Sequence, residues 1–507
     1  MRLFTRRSLL LVGTAVSLFS IMNCNNYRHY QWRTGSVTDN NSDNYSIHFI
    51  EADDEGWFWD KGQVDDAMDV IRGNLAKDDT IVVTFVHGWH HSAQCCDSNV
   101  EGFRNTLLQL RKMLNPKIKL VGLYVGWRGR SLPGFFDYTT FWGRKGAAER
   151  IGQNDFKEFM ARLQDLFVEY RPDAARTPQS AEAAGAANQN RHFLGLVTIG
   201  HSFGAQVIMR AVAGPLEDQL QRLNKTPAYL RGAEPGTPTA DQSFTLSGIG
   251  DLIVLINPAL EASQYHRLHV LSRGLRYSNY QTPLILTISA ENDNARHRFF
   301  IIGRVLGEFF TGKPDKQDEV QRTVEREALG VFKSHITHLL EPTEPKVELV
   351  TETIDGDRRQ CSGQRSCKSE WRGWLIDPYK MSPPGVTEPD SLELRNPCAI
   401  RAFDFSGNVV FSNVKLRSLN SEDIADPNAG LTGYTPGIPF QPLIVARASK
   451  QIVDNHGGIF TQPFMNFLVS YIRFIEQKSL INVRGKTEQR KIEQKRLESA
   501  PSGRLQR

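Results

Sequence analysis

Cysteine is scarce, six residues in 507, and the adjacent Cys95 and Cys96 have no second pair at metal-ligand spacing, so no zinc site is assigned. An excess of one charge is also lacking, with 61 Lys and Arg against 56 Asp and Glu. Of the formal +5, the N-terminal Arg2, Arg6 and Arg7 carry +3 and the tail 478–507 carries +6, which leaves about −4 for the body of the chain. That balance excludes a nucleic-acid groove. Five cysteines remain beyond Cys24, an odd number, so at least one thiol is free or pairs between chains; Cys361 and Cys367 flank a short polar segment and could close a small loop.

What is present begins with a leader. Met1 to Arg7 is basic, Ser8 to Met22 is apolar, and Asn23-Cys24 follows, the build of a secretory signal, so residues 1–24 are expected to direct export to the periplasm, cell envelope or exterior. Thr5-Arg6-Arg7-Ser8-Leu9-Leu10 resembles a twin-arginine signal, which implies a bacterial source. Three fates stay open: lipidation of Cys24, plain cleavage, or retention as a membrane anchor. The charged, apolar-poor 478–507 reads as a solvated helix or a disordered tail.

Between these ends, apolar runs of strand length recur at Thr80 to Val86, Leu120 to Val125, Phe193 to Ile199, Asp251 to Ile256 and Pro283 to Ile288, with another inside Phe440 to Ile452. Helical spacing fills Val100 to Met113, Asp155 to Tyr170, Ala205 to Ala213 and Gln462 to Phe474. Doubly buried strands alternating with helices predict an α/β fold with a mostly parallel sheet covered on both faces. Segments 174–190 and 225–247 read as surface insertions, and the pattern is irregular from 311 to 440.

One segment carries chemistry. Residues 196–213 run from an apolar strand through Gly200-His201-Ser202-Phe203-Gly204 into a helix, the layout of a nucleophile elbow. Gly200 and Gly204 leave room for the sharp bend, and Ser202 is the expected nucleophile. The five-residue pattern is weak by itself; its setting between strand and helix gives it weight. A serine hydroxyl needs a base, a group to orient that base, and donors for the oxyanion. Strand 80–86 ends in His87-Gly88-Trp89-His90-His91, a loop that can offer the Trp89 N–H opposite that of Phe203. His87, His90 and His91 follow a strand with no carboxylate cluster beside them, so they read as polar loop residues rather than metal ligands. The acid is expected just past strand 283–288, at Asp293, with Glu291 and then Asp454 as alternatives. Of the histidines beyond it, His456 lies in a loop between strand and helix patterns and is the expected base, with His338 as the alternative.

His87-Gly88, Gly200-His201-Ser202-Phe203-Gly204, Asp293 and His456, in that order, resemble the α/β-hydrolase superfamily over about residues 45–475. The segments 125–129 (Val-Gly-Trp-Arg-Gly) and 302–304 (Ile-Gly-Arg) look like parts of a less characterised bacterial subgroup. The resemblance implies an α/β-hydrolase fold, an acyl-enzyme mechanism and hydrolysis of a small-molecule or lipid ester, with no cofactor. An amidase or peptidase on the same fold, or a non-catalytic binding protein, are the other readings. The departure is the stretch of about 160 residues between Asp293 and His456, expected as an insertion or lid. Trp89, Phe135, Phe136, Trp142 and Phe203 are candidate walls of an apolar acyl pocket.

Overall fold

The computed structural model describes residues 29–30, 45–130, 140–171, 192–225, 244–278, 281–293, 319–343, 409–411, 413–476 and 479. The leader 1–24, the tail from 480 on, Phe135 and Phe136, most of both expected surface insertions, residues 302–304 and cysteines 24, 361, 367 and 398 lie outside these.

The described chain alternates strand and helix as β1 (Tyr45–Glu51), α1 (Gly62–Leu75), β2 (Thr80–Val86), α2 (Ser98–Met113), β3 (Lys119–Gly126), α3 (Phe141–Gln153), α4 (Asp155–Tyr170), β4 (Leu194–His201), α5 (Phe203–Lys225), β5 (Leu252–Ile256), α6 (Ser263–Arg273) and β6 (Ile285–Ala290). After β6 come α7 (Glu319–Arg326), a 3-10 turn (Lys333–His335), β7 (His338–Pro342), β8 (Val409–Phe411), β9 (Val414–Ser418), α8 (Ser421–Ala425), β10 (Leu443–Ala448) and a closing helix α9 over 462–476. The strands form one sheet in the order β1-β3-β2-β4-β5-β6-β10-β7-β9-β8. Pairing is parallel from β1 through β7 and antiparallel where β9 meets β7 and β8.

Period-two burial explains why the central strands read as unbroken apolar runs. In β2, Val82 and Val86 enter one core with α1, α3, α4, α5 and α6, while Ile81, Val83 and Phe85 enter a second core with α2 and α9. Helices on each side therefore claim alternate residues of the same strand. Each fully buried Val, Ile or Phe contributes about 1.5–3 kcal/mol relative to exposure. The architecture is an α/β one with a mostly parallel sheet between two helical layers, consistent with an α/β-hydrolase fold. Among the described residues no helix is long and apolar enough to cross a membrane.

The stretch from 311 to 440, irregular as sequence, contributes strands. β7, β8 and β9 continue the sheet beyond β10, which slots in beside β6 from much later in the chain. The described parts of the expected insertion or lid thus lengthen the sheet. Alternation is short there, three to five residues per strand, and half-exposed positions interrupt it (Leu339 and Glu341 in β7, Lys415 and Arg417 in β9). β1 also escaped the sequence pattern, because Ser46, His48 and Glu51 break its apolar run although β3 and α1 bury most of it.

Candidate active site

The site lies where parallel strands end. β4 passes into α5 through Ser202, which adopts φ of 55°, the left-handed region that a side chain rarely enters. The bend is possible because both flanking positions are bare. A Cβ on Gly204 would lie 2.0 Å from the Val86 carbonyl oxygen, and one on Gly200 would lie 2.6 Å from the Ile208 side chain. The Ser202 carbonyl accepts the N–H groups of Ala205 and Ala259, each at 3.1 Å, and its own N–H donates to Ile256 O at 3.0 Å. The strained residue is held from three sides.

His456 is placed by sheet register. β6 and β10 run parallel with Ala290 opposite Ala448, so the loops that leave them rise side by side. His456 Nδ1 lies 2.7 Å from Asp293 Oδ2, and its Nε2 lies 2.7 Å from Ser202 Oγ. A carboxylate only accepts, so Nδ1 carries the proton and Nε2 is left to accept from the Ser202 hydroxyl. Asp293 is fully buried and Ser202 nearly so, while the His456 side chain keeps 27% exposure. The structure brings Ser202, Asp293 and His456 together.

The three alternatives make other contacts. Glu291 Oε1 accepts the Lys450 N–H at 2.9 Å, so it ties down the loop after β10 instead of touching the imidazole. Asp454 Oδ1 accepts from the Asn292 side-chain amide at 2.8 Å, and Asn292 Oδ1 accepts the Asn455 N–H at 2.9 Å. His338 begins β7, fully buried, with Nδ1 2.9 Å from Thr337 Oγ1. Glu291, Asn292 and Asp454 thus tie the loop after β6 to the loop that carries His456.

The 87–91 loop borders Ser202 directly. A Cβ on Gly88 would meet Ser202 Cβ at 2.7 Å, so only glycine allows this approach. His87 is fully buried, and its imidazole fixes the loop: Trp127 N–H donates to Nε2 at 2.9 Å, which leaves Nδ1–H to donate to the Gly88 carbonyl at 2.8 Å. Its ring stacks on Trp127 with centroids 5.5 Å apart and planes 3° apart. Burial lowers the His87 pKa to about 4, so the ring stays neutral and keeps this tautomer. A trans peptide sends C=O and the next N–H in opposite directions, so pinning Gly88 O aims the Trp89 N–H away from His87. Phe203 N–H opens α5, beyond the helix's own hydrogen-bond ladder. His90 and His91 serve the loop: His90 N–H donates to Gly129 O at 3.0 Å, and His91 pairs with Asp97 at 2.9 Å.

Two supports went unnoticed in the sequence. Asn257 directly follows β5, fully buried, with φ of 45°. Its side-chain amide donates to the carbonyls of Asn455 and His456, each at 3.0 Å, while its Oδ1 accepts the Ala290 N–H at 2.8 Å. One side chain thus joins the strand leading to Asp293 with the loop bearing His456. His201 Nε2 donates to the same His456 carbonyl at 2.9 Å, and burial followed by the neighbouring His456 lowers its pKa well below the ordinary value. Asparagine's tolerance of the left-handed region was the available signal at Asn257, but nothing in sequence ties it to a loop some 200 residues away.

An aromatic wall stands beside the nucleophile. Phe141 packs against Trp89 at 5.3 Å and Phe203 at 5.2 Å between centroids, and Trp142 follows at 5.4 Å with 40% exposure. Phe141, unremarked in the sequence, is its centre.

No family model and no curated protein matches the chain. Among solved structures, esterase B from Lactobacillus rhamnosis, described with a tributyrin phosphonate inhibitor, is 18% identical, with a TM-score of 0.17, over 46% of this chain and 61% of that one. An uncharacterized protein from Pseudomonas aeruginosa is 11% identical, with a TM-score of 0.20, over 48% of this chain and 41% of that one. The chain spans less than two thirds of either protein, and likenesses this slight assign it nothing.

Proposed function

We propose that this protein is a serine hydrolase that cleaves carboxylic esters through an acyl-enzyme. The observation that carries this reading is the unbroken relay from Asp293 through His456 to Ser202, both links at 2.7 Å. His456 Nε2 takes the Ser202 proton as Oγ attacks the carbonyl carbon, and buried Asp293 holds the ring and stabilises the imidazolium. The oxyanion receives the N–H groups of Phe203 and Trp89, each such donor supplying about 3 kcal/mol in comparable sites. His456 then protonates the leaving alcohol, and a water activated by the same nitrogen releases the acid. No cofactor enters these steps.

The aromatic wall of Phe141, Trp89 and Phe203 favours an apolar acyl group, whether from a small-molecule or a lipid ester. The basic leader with its apolar run supports export, with attachment to a membrane through the N-terminus as one outcome. A fluorophosphonate probe should label Ser202, and p-nitrophenyl esters of graded chain length should turn over with a preference for longer acyl groups. Ser202→Ala should abolish both. A folded chain that neither takes the probe nor cleaves any ester would overturn the reading in favour of a binding protein, and turnover confined to anilides would make it an amidase.

A further inference from the structure

Cys95 and Cys96 are adjacent in the chain, and their sulfurs meet: the Sγ atoms stand 3.3 Å apart, both side chains exposed. They fill the two central positions of a turn closed by the Asp97 N–H to Gln94 O at 3.0 Å. That turn is rooted in the loop beside Ser202. Asp97 Oδ1 accepts from Asn99 N–H at 2.9 Å to cap α2 and faces His91 Nδ1 at 2.9 Å, while its Oδ2 accepts the Ser92 N–H at 2.9 Å. The His91 carbonyl in turn takes the Gly129 N–H at 3.1 Å. Only His90 separates His91 from Trp89.

We propose that Cys95 and Cys96 form a reversible dithiol–disulfide site, oxidised by exchange with a small-molecule disulfide, whose closure disturbs the 87–91 loop through Asp97. The thiolate of one cysteine attacks the small disulfide, forming a mixed disulfide and releasing one thiolate of the reagent. The second cysteine, deprotonated, attacks the protein sulfur of that mixed disulfide and expels the other. The two protein thiols lose two hydrogens and two electrons, and the reagent leaves as two thiols.

Consecutive Cα atoms lie about 3.8 Å apart across a trans peptide, closer than the usual disulfide range of about 4.4–6.8 Å. The closed ring is therefore strained and readily reduced, which suits a switch and not a staple. The hydrogen bond between the two thiols raises the pKa of Cys96, so closure should quicken as pH rises.

The test uses the full chain, equilibrated with oxidised glutathione or with dithiothreitol, then alkylated, digested and weighed. Expected is a peptide spanning 95 and 96 that takes no alkyl group and is two hydrogens lighter after oxidation, and takes two alkyl groups after reduction. Two alkyl groups under both conditions, a stable glutathione adduct on one sulfur, or a link to a third cysteine would each overturn the proposal. Only the activity arm rests on the esterase reading: turnover should fall several-fold on oxidation, recover with dithiothreitol, and not respond in Cys95→Ser. A pair that closes while turnover stays constant would overturn the coupling to the loop. A chain without any turnover would fail the esterase reading, and the masses would still decide this one.

Discussion

The two ends of the sheet bury polar side chains under opposite rules. At the carboxyl ends of the strands, Asp293, His456, Ser202, His87 and Asn257 each meet a partner from another element at 2.7–3.0 Å. At the amino ends, Arg171 bonds Asp251 at 3.1 Å and the Leu194 carbonyl at 3.3 Å, and lies over the rings of Phe167 and Phe193. Beside them sits Glu476 of α9, fully enclosed, with neither carboxyl oxygen hydrogen-bonded. Burial, and then the negative Asp251, raise its pKa well above the carboxylate range, so it keeps its proton. Pairing at one end lines up Asp293, His456 and Ser202, the arrangement that the proposed proton transfer needs. At the other end one guanidinium neutralises one carboxylate, and the second carboxyl survives only by staying neutral.

That contrast can be broken from either side. The largest effect should come from the base: His456→Ala should lower ester turnover about 10⁵-fold with the melting temperature held, because triad members act as a unit. His338→Ala, measured in the same assay, should stay within a few-fold, and the reverse result would move the base to β7. At the opposite end, Arg171→Leu should leave turnover per folded molecule unchanged and cost about 3–5 kcal/mol in urea unfolding, because Asp251 would remain buried without its partner. If turnover fell and stability held, the division of labour between the two ends would be wrong.

Asn257→Ala sharpens the comparison, because it should act as a positioning residue. Its loss removes one donor from each of the 455 and 456 carbonyls and should reduce kcat about 10²-fold with little change in KM, the scale expected for a misplaced catalytic group. A pure stability loss, with kcat intact at low temperature, would make it merely structural. The smallest effect belongs to Glu476. The unfolded chain releases this proton above about pH 4.3 while the folded chain retains it, so stability falls as pH rises from there toward the folded value. Glu476→Gln keeps the shape without the proton and should flatten that decline in pH-dependent unfolding.

Much of the candidate site was legible because its signals are local. The Gly-x-Ser-x-Gly turn, the His87-Gly88 loop and the strand preceding each follow from a few neighbouring residues, and the superfamily's chain order pointed to Asp293 and His456. The extension β7–β9 was not legible, since strands of three to five residues with half-exposed positions carry almost no period. Asn257 and Phe141 were missed for another reason: an asparagine after a strand and a phenylalanine opening a helix look ordinary until the fold brings distant loops against them.

Short-range sterics and periodicity encode the alternation of buried strands with helices, the bend at Ser202, and the residue types from which a nucleophile, base and acid could be drawn. Which carboxylate meets the histidine, and which histidine meets the serine, is a matter of tertiary structure. That choice rests on β10 pairing with β6 at a register that sets Asp293 beside His456, a contact across 163 residues that hydrogen bonding between strands fixes and no local pattern encodes.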